Sequence, residues 1–230
     1  MTNPVPIITI DGPSGSGKGT LCRLLAQRLG WHVLDSGMLY RALALMAVEQ
    51  KIKLTDTATL ASLAKQLTID FALNEQAELK VRLNDTDVTL TLQTEHNGQL
   101  ASQIAVFPPV RQAMLAKQRA FCQAPGLVAD GRDMGTVVFP WADLKLFLTA
   151  PAQACAQRRY NQLKKSGFDV TLAQVLTELN RRNLRDSQRS IAPLKAAPDS
   201  VLLETSHLTI AAVLEKTMRL VRKRGLAGRV

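Results

Sequence analysis

Aromatic side chains are scarce in this chain: they make up 4% of 230 residues, against 46% for hydrophobic residues as a whole. A core of this composition is mostly aliphatic, and a surface that stacks successive bases of a nucleic acid has few rings to draw on. Cysteine is equally sparse. Cys22, Cys122 and Cys155 are odd in number, far apart and form no C-x-x-C pair, which argues against a disulfide framework or zinc site and for reduced thiols in the cytoplasm. His32, His96 and His207 share no metal-ligand spacing and read as ordinary surface or core residues. No apolar run approaches the roughly 18 residues that a membrane span needs. Met1 to Asp11 lacks the basic stretch and long apolar run of a signal peptide, so no membrane association is expected. There is also no internal repeat and no low-complexity linker, and a single domain with insertions fits the length better than two.

Positive charge, by contrast, is plentiful. The chain carries 29 Lys and Arg against 19 Asp and Glu, a net charge of +10. Residues 151–230 hold fifteen basic against six acidic side chains, whereas residues 37–102 hold six against eight. Such a surplus points to an anionic partner, and nucleic acid and nucleotide phosphates both qualify. The cluster Arg222-Lys223-Arg224 reads as a solvated face.

Hydrophobic patterning predicts an α/β fold. Pro6 to Ile10 is a short β-branched run that reads as a buried strand; Leu21 to Leu29 has helical spacing, Gly30 ends that helix, and Trp31 to Leu34 reads as a second strand. Further strands are predicted at Gly126 to Ala129, Leu144 to Leu148 and Val201 to Leu203, each followed by polar residues, as where strand ends open onto a site. The whole reads as an α/β domain with a parallel sheet flanked by helices. Between its halves, Leu60 to Leu67 looks helical, and Thr68 to Leu73, Leu79 to Leu83 and Val88 to Leu92 look like strands of a small antiparallel sheet. Helices are predicted at Val110 to Phe121, Ala152 to Lys165, Leu172 to Arg189 and Ile210 to Val221. The last places Ile210, Val213, Leu214, Met218 and Val221 on one face.

The segment Gly12-Pro13-Ser14-Gly15-Ser16-Gly17-Lys18-Gly19-Thr20 follows a predicted strand and opens a predicted helix. Its glycines let backbone N–H groups turn inward around phosphate oxygens, the helix N-terminus adds partial positive charge, and Lys18 can bridge the β- and γ-phosphates. Gly12, Gly17 and Lys18 match the general G-x-x-x-x-G-K part of the phosphate-binding pattern, so the fold is expected to be a P-loop NTPase-type parallel sheet flanked by helices. The Ser or Thr expected directly after the lysine is Gly19, with Thr20 one place later. The usual hydroxyl ligand of Mg²⁺ is displaced, and the ion is expected to be held mainly by phosphates and water, with Asp130 as an outer-shell candidate.

Four further stretches narrow the choice: Asp35-Ser36-Gly37-Met38-Leu39-Tyr40-Arg41; Phe107-Pro108-Pro109-Val110-Arg111, after Ser102-Gln103; Asp130-Gly131-Arg132-Asp133-Met134-Gly135-Thr136; and Arg182, Arg185, Asp186 and Arg189, at i, i+3, i+4 and i+7. Together they resemble bacterial-type cytidylate kinases, in the wider nucleoside-monophosphate kinase family, over essentially the whole chain. The resemblance implies ATP-dependent phosphorylation of CMP and dCMP by a cytoplasmic monomer that uses Mg²⁺ and binds no nucleic acid. It divides one domain over 1–230 into a core (1–36, 103–150 and 190–230), an acceptor-binding segment and insert (37–102), and a lid with an arginine-bearing helix (151–189). It places Arg158 and Arg159 over ATP, Arg41 and Arg132 on the CMP phosphate, and Arg182, Asp186 and Arg189 around the acceptor phosphate and ribose. Cytosine would be read by Ser102, Arg111 and Asp133, with Ser36 and Tyr40 lining the pocket. Lys18, Arg132, Arg158, Arg182 and Arg189 would stabilise the transferring phosphoryl group. The stretch Gln93 to Leu100, with its turn-prone Asn97-Gly98, departs from the family pattern. Kinases of UMP or AMP, and a basic P-loop protein that binds nucleic acid, remain as alternatives from the residues alone.

Overall fold

The computed structural model describes residues 5–227; residues 1–4, which open the N-terminal stretch, and 228–230 lie outside the described residues. In chain order the elements are Ile7–Asp11 (β1), Lys18–Leu29 (α1), His32–Asp35 (β2), Ser36–Glu49 (α2), Thr57–Gln66 (α3), Ile69–Leu73 (β3), Leu79–Leu83 (β4) and Thr86–Asp87 (β5). Then come Thr89–Gln93 (α4), Glu95–Ile104 (α5), Pro108–Ala120 (α6), Leu127–Gly131 (β6), a π-helical turn at Met134–Val138, Leu144–Thr149 (β7), Ala152–Lys165 (α7), Leu172–Ser187 (α8), Val201–Glu204 (β8) and Ile210–Lys223 (α9).

Five strands form one parallel sheet in the order β2-β6-β1-β7-β8. Every residue of β1 and of β6 is buried, so neither strand alternates: helices cover both faces. The chain runs from β1 outward to β2, returns to β6, and then crosses to β7 on the other side, so β1 marks the place where the strand order reverses. In such sheets the crevice outside the carboxyl ends at that point takes the ligand. Here that edge carries Asp11, Asp35, Gly131, Thr149 and Glu204.

Two appendages accompany this sheet. The insert is an antiparallel sheet, β3-β4-β5, in which Leu79, Val81 and Leu83 of β4 face inward while Lys80 and Arg82 face out. The lid is α7 and α8, packed around their own small cluster of Cys155, Ala156, Leu163, Val175 and Leu179, separate from the main core. A capping box at Thr171 and Gln174 starts α8. In α9 the stripe buries Val213, Met218 and Val221, while Ile210 stays exposed at the first turn.

Three readings need correction. Val88 to Leu92, expected as a strand, is mostly α4: Asp87 Oδ1 accepts from Thr89 N and Oγ1, which starts a helical turn, and the third strand is only Thr86–Asp87. Asn97-Gly98 is no turn but lies inside α5, whose N-cap Thr94 accepts from Asn97 N at 3.2 Å. Arg189 lies past the end of α8, which closes at Gln188.

Both tryptophans sit near the amino ends of the strands. Trp31, just before β2, is buried against Gly126, and Trp141, before β7, lies under the Arg119 guanidinium at 5.0 Å from its ring centre. No helix among the described residues is long and apolar enough to cross a membrane.

Candidate active site

A cleft of about 1250 Å³ opens along the carboxyl edge of the sheet, walled by the glycine-rich loop, the insert side and the lid. Ser14 to Thr20 line it, whereas Gly12 and Pro13 do not, and Pro13 O accepts from Lys18 Nζ at 2.8 Å. Lys18 is the first residue of α1 and is buried. Burial, and then the neighbouring Arg132, push its pKa down. Burial pushes the Asp130 carboxyl up, with Lys18 pulling the other way. The position after the lysine is tight as well: a Cβ on Gly19 would lie 3.1 Å from Asp130 Oδ2. A Ser or Thr there would crowd that carboxylate.

Behind the loop, Asp11 Oδ1 and Oδ2 accept from Met134 N and Gly135 N, each at 2.8 Å, and so tie β1 to the π-helical turn that starts directly after Asp133. Burial raises its pKa to about 6 against the lowering effect of those two amides. Arg132 bridges the loop to α8, with Nη2 on Ser14 Oγ at 2.5 Å and Nε on Asp186 Oδ2 at 2.9 Å. Ser14 N also donates to Asn183 Oδ1 at 3.0 Å.

On the lid, Arg158 donates to Thr205 Oγ1 at 3.0 Å, Thr205 O at 2.5 Å and Ser16 O at 3.4 Å. Its neighbour Arg159 turns the other way, reaching Glu95 Oε1 through Nε and Nη2 at 2.7 and 2.5 Å, and Gln93 O at 2.9 Å. Arg182 Nη1 stands 3.7 Å from the other oxygen of Glu95. One carboxylate thus faces an arginine from each lid helix. Burial opposes its charge, but Arg159 and Arg182 more than offset this and hold its pKa below the usual carboxylate value.

On the insert side, the buried Arg41 donates to Leu92 O and, at 2.8 Å, to Thr94 O. Burial, followed by the nearby Arg182, lowers its pKa to about 9. Gly98 makes this packing possible, since a Cβ there would fall 2.5 Å from Arg41 Nη2. Ser36 Oγ accepts from Gln118 at 2.8 Å. Arg111 pairs with Asp133, donates to Ala105 O at 3.1 Å, and covers the Tyr40 ring at 5.8 Å. Burial pushes the Tyr40 hydroxyl up to about 12. Ser102 Oγ accepts from Arg185 Nη1 at 2.7 Å.

The structure therefore brings Lys18, Ser36, Tyr40, Arg41, Ser102, Arg111, Asp130, Arg132, Asp133, Arg158, Arg159, Arg182, Asp186 and Arg189 onto one cleft. Four buried polar atoms of its lining residues, Ser16 Oγ, Tyr40 Oη, Arg182 Nε and Arg189 Nη2, have no hydrogen-bond partner among the described residues. Such atoms are costly to leave unpaired. Two of them are guanidinium donors, so an anionic acceptor is the chemistry that satisfies the set. No group of three or more His, Cys, Asp and Glu side chains gathers at metal-binding distances among the described residues. Asp130 and Asp35 do line the cleft beside Lys18, a donor set suited to the water shell of a phosphate-bound Mg²⁺.

Sequence reasoning missed Asp11, Asp35, Thr205, Glu95, Asn183 and the contact of Arg185. The first three close, or directly follow, a strand at the carboxyl edge, and that position was a usable signal. Glu95 and Asn183 pair with residues far away in sequence, and nothing local marks them.

A family model described as cytidylate kinase matches residues 8–223. A protein of Aeromonas salmonicida named cytidylate kinase is 53% identical over 93% of this chain and 93% of its own length. Cytidylate kinases of Methylococcus capsulatus (50% identical, 96% of this chain and 99% of that protein) and Stutzerimonas stutzeri (52%, 99% and 100%) are similar along nearly their whole lengths. This chain belongs to the cytidylate kinase family.

Proposed function

We propose that this protein transfers the γ-phosphoryl group of ATP directly to CMP or dCMP, giving ADP and CDP or dCDP. The observation that carries the reading is the set of buried, unpartnered donors on a cleft where eight arginines and Lys18 converge. Phosphoryl transfer asks a protein for positioning and charge stabilisation rather than for a covalent catalyst. The loop from Gly12 to Thr20 would cradle the ATP phosphates, with Arg158 and Arg159 over the nucleotide and Lys18 following charge onto the transferring group. Arg41, Arg132, Arg182 and Arg189 would hold the acceptor phosphate, Asp186 the ribose hydroxyls, and Ser36, Tyr40, Ser102, Arg111 and Asp133 the base. Mg²⁺ would neutralise the β- and γ-phosphate oxygens, its water shell held by Asp130 and Asp35. In this reading the protein works as a single-domain monomer in the cytoplasm, without nucleic acid.

ADP formation in a coupled assay with CMP, dCMP, UMP and AMP tests the reading. CMP and dCMP should turn over, and UMP should fall behind CMP by about tenfold or more in kcat/KM, since each mismatched polar contact costs on the order of 1–3 kcal/mol. Lys18→Ala should remain folded, because the loop backbone survives, and lose several orders of magnitude in turnover. AMP used as well as CMP, or near-normal turnover without Lys18, would overturn the proposal.

A further inference from the structure

Arg185 is half-buried on α8 and does not line the cleft, yet its Nη1 donates to Ser102 Oγ at 2.7 Å, across to α5. Ser102 does line the cleft and is buried. Among the described residues, this is the hydroxyl's one hydrogen bond, and it is accepted rather than donated.

That direction matters. A serine hydroxyl offers one hydrogen and two lone pairs, and in a helix it often turns its hydrogen back onto the carbonyl four residues earlier. Here a cation that can only donate occupies a lone pair, and its charge repels the hydroxyl hydrogen. The hydrogen is left to point away from Arg185 and meets no acceptor among the described residues. Near the same wall Arg111 clamps Asp133, whose carboxylate only accepts. Ser102 and Asp133 both line the cleft, and between them they add a donor and an acceptor to it. Cytosine presents the complementary edge: an amino donor at position 4 and an unprotonated acceptor at ring position 3. Uracil presents an acceptor and a donor in those places.

We infer that Arg185 is a positioning residue for base choice: it fixes the Ser102 hydroxyl as a donor and so favours a cytosine edge over a uracil edge. The inference rests on the reading of Ser102 and Asp133 as base-facing residues. A purely structural tie between α5 and α8 would instead affect all acceptors alike.

The test is the CMP-to-UMP ratio of kcat/KM in a set of variants. Arg185→Met should lower the ratio about tenfold, the worth of one good polar contact, mainly through KM for CMP. Arg185→Lys, which keeps a cationic donor, should recover most of it. Ser102→Ala should lower the ratio by itself, and adding Arg185→Met to it should lower it no further. Should Arg185→Met fold poorly, Arg185→Gln reads the same loss of fixed charge at similar length. If Ser102→Ala and Asp133→Ala both leave the ratio unchanged, the base-facing reading fails. If those two lower it while Arg185→Met and Arg185→Gln weaken CMP and UMP equally, the role given to Arg185 alone is overturned.

Discussion

At Asp11, two backbone amides and near-complete burial pull in opposite directions, and burial wins, raising the carboxyl to about 6. Between the ordinary value near 3.8 and about 6, the folded protein keeps a proton that the unfolded chain has released. The stability this supplies is therefore fully present below the unfolded value and lost as pH rises through about 6, on the order of 3 kcal/mol in all. Asp11→Asn keeps the shape without the titration. Urea unfolding of both proteins between about pH 4 and about pH 7 should show wild type losing ground to the variant by that order, with a flat difference above. A difference independent of pH would mean that the amides of Met134 and Gly135 keep the carboxylate ionised throughout. The same residue shows where sequence reading stops. Lys18 is legible because a spacing pattern marks it, whereas Asp11, seven positions earlier, gains its role only when β6 lays the π-helical turn beside β1.

Elements carry the movement that a phosphoryl transferase needs, since an open cleft would let water compete for the phosphate. The lid helices have only a small core of their own, and α7 is tied to α5 through Arg159 and Glu95. This ion pair is mostly buried, so removing one partner should be felt well beyond the pair itself. Glu95→Gln should speed amide exchange of α7 in the free protein. An ATP analogue with CMP should restore protection there, and in wild type should add protection over residues 158–167 and 40–100. Equal exchange in variant and wild type would remove Glu95 as the tie. The lid helices were plain from helical spacing, and the main-sheet strands from their short apolar runs. Val88 to Leu92 was not, because five residues with an apolar residue at every second place fit a strand as well as the single helical turn whose first residue, Thr89, donates to Asp87 Oδ1. Gly98 misled for a related reason: it serves contact with Arg41, and local preference alone reads glycine as a turn.

For the molecule as a whole, the parallel sheet separates two edges. Phosphate chemistry gathers at the carboxyl edge, where Arg158, Arg159, Lys165, Arg182 and Arg189 of the basic last third line the cleft. The opposite edge is packing, and both indoles lie there, Trp31 enclosed and Trp141 half-exposed under Arg119. Neither lines the cleft. The intrinsic emission of this protein is thus a gauge of unfolding and nearly blind to its substrates. Adding ATP analogue and CMP should leave the tryptophan spectrum almost unmoved, while denaturant should shift Trp31 strongly to the red. Tyr160→Trp, in the lid cluster, would put a reporter where closure happens, and its spectrum should respond to ligands that the native indoles do not register.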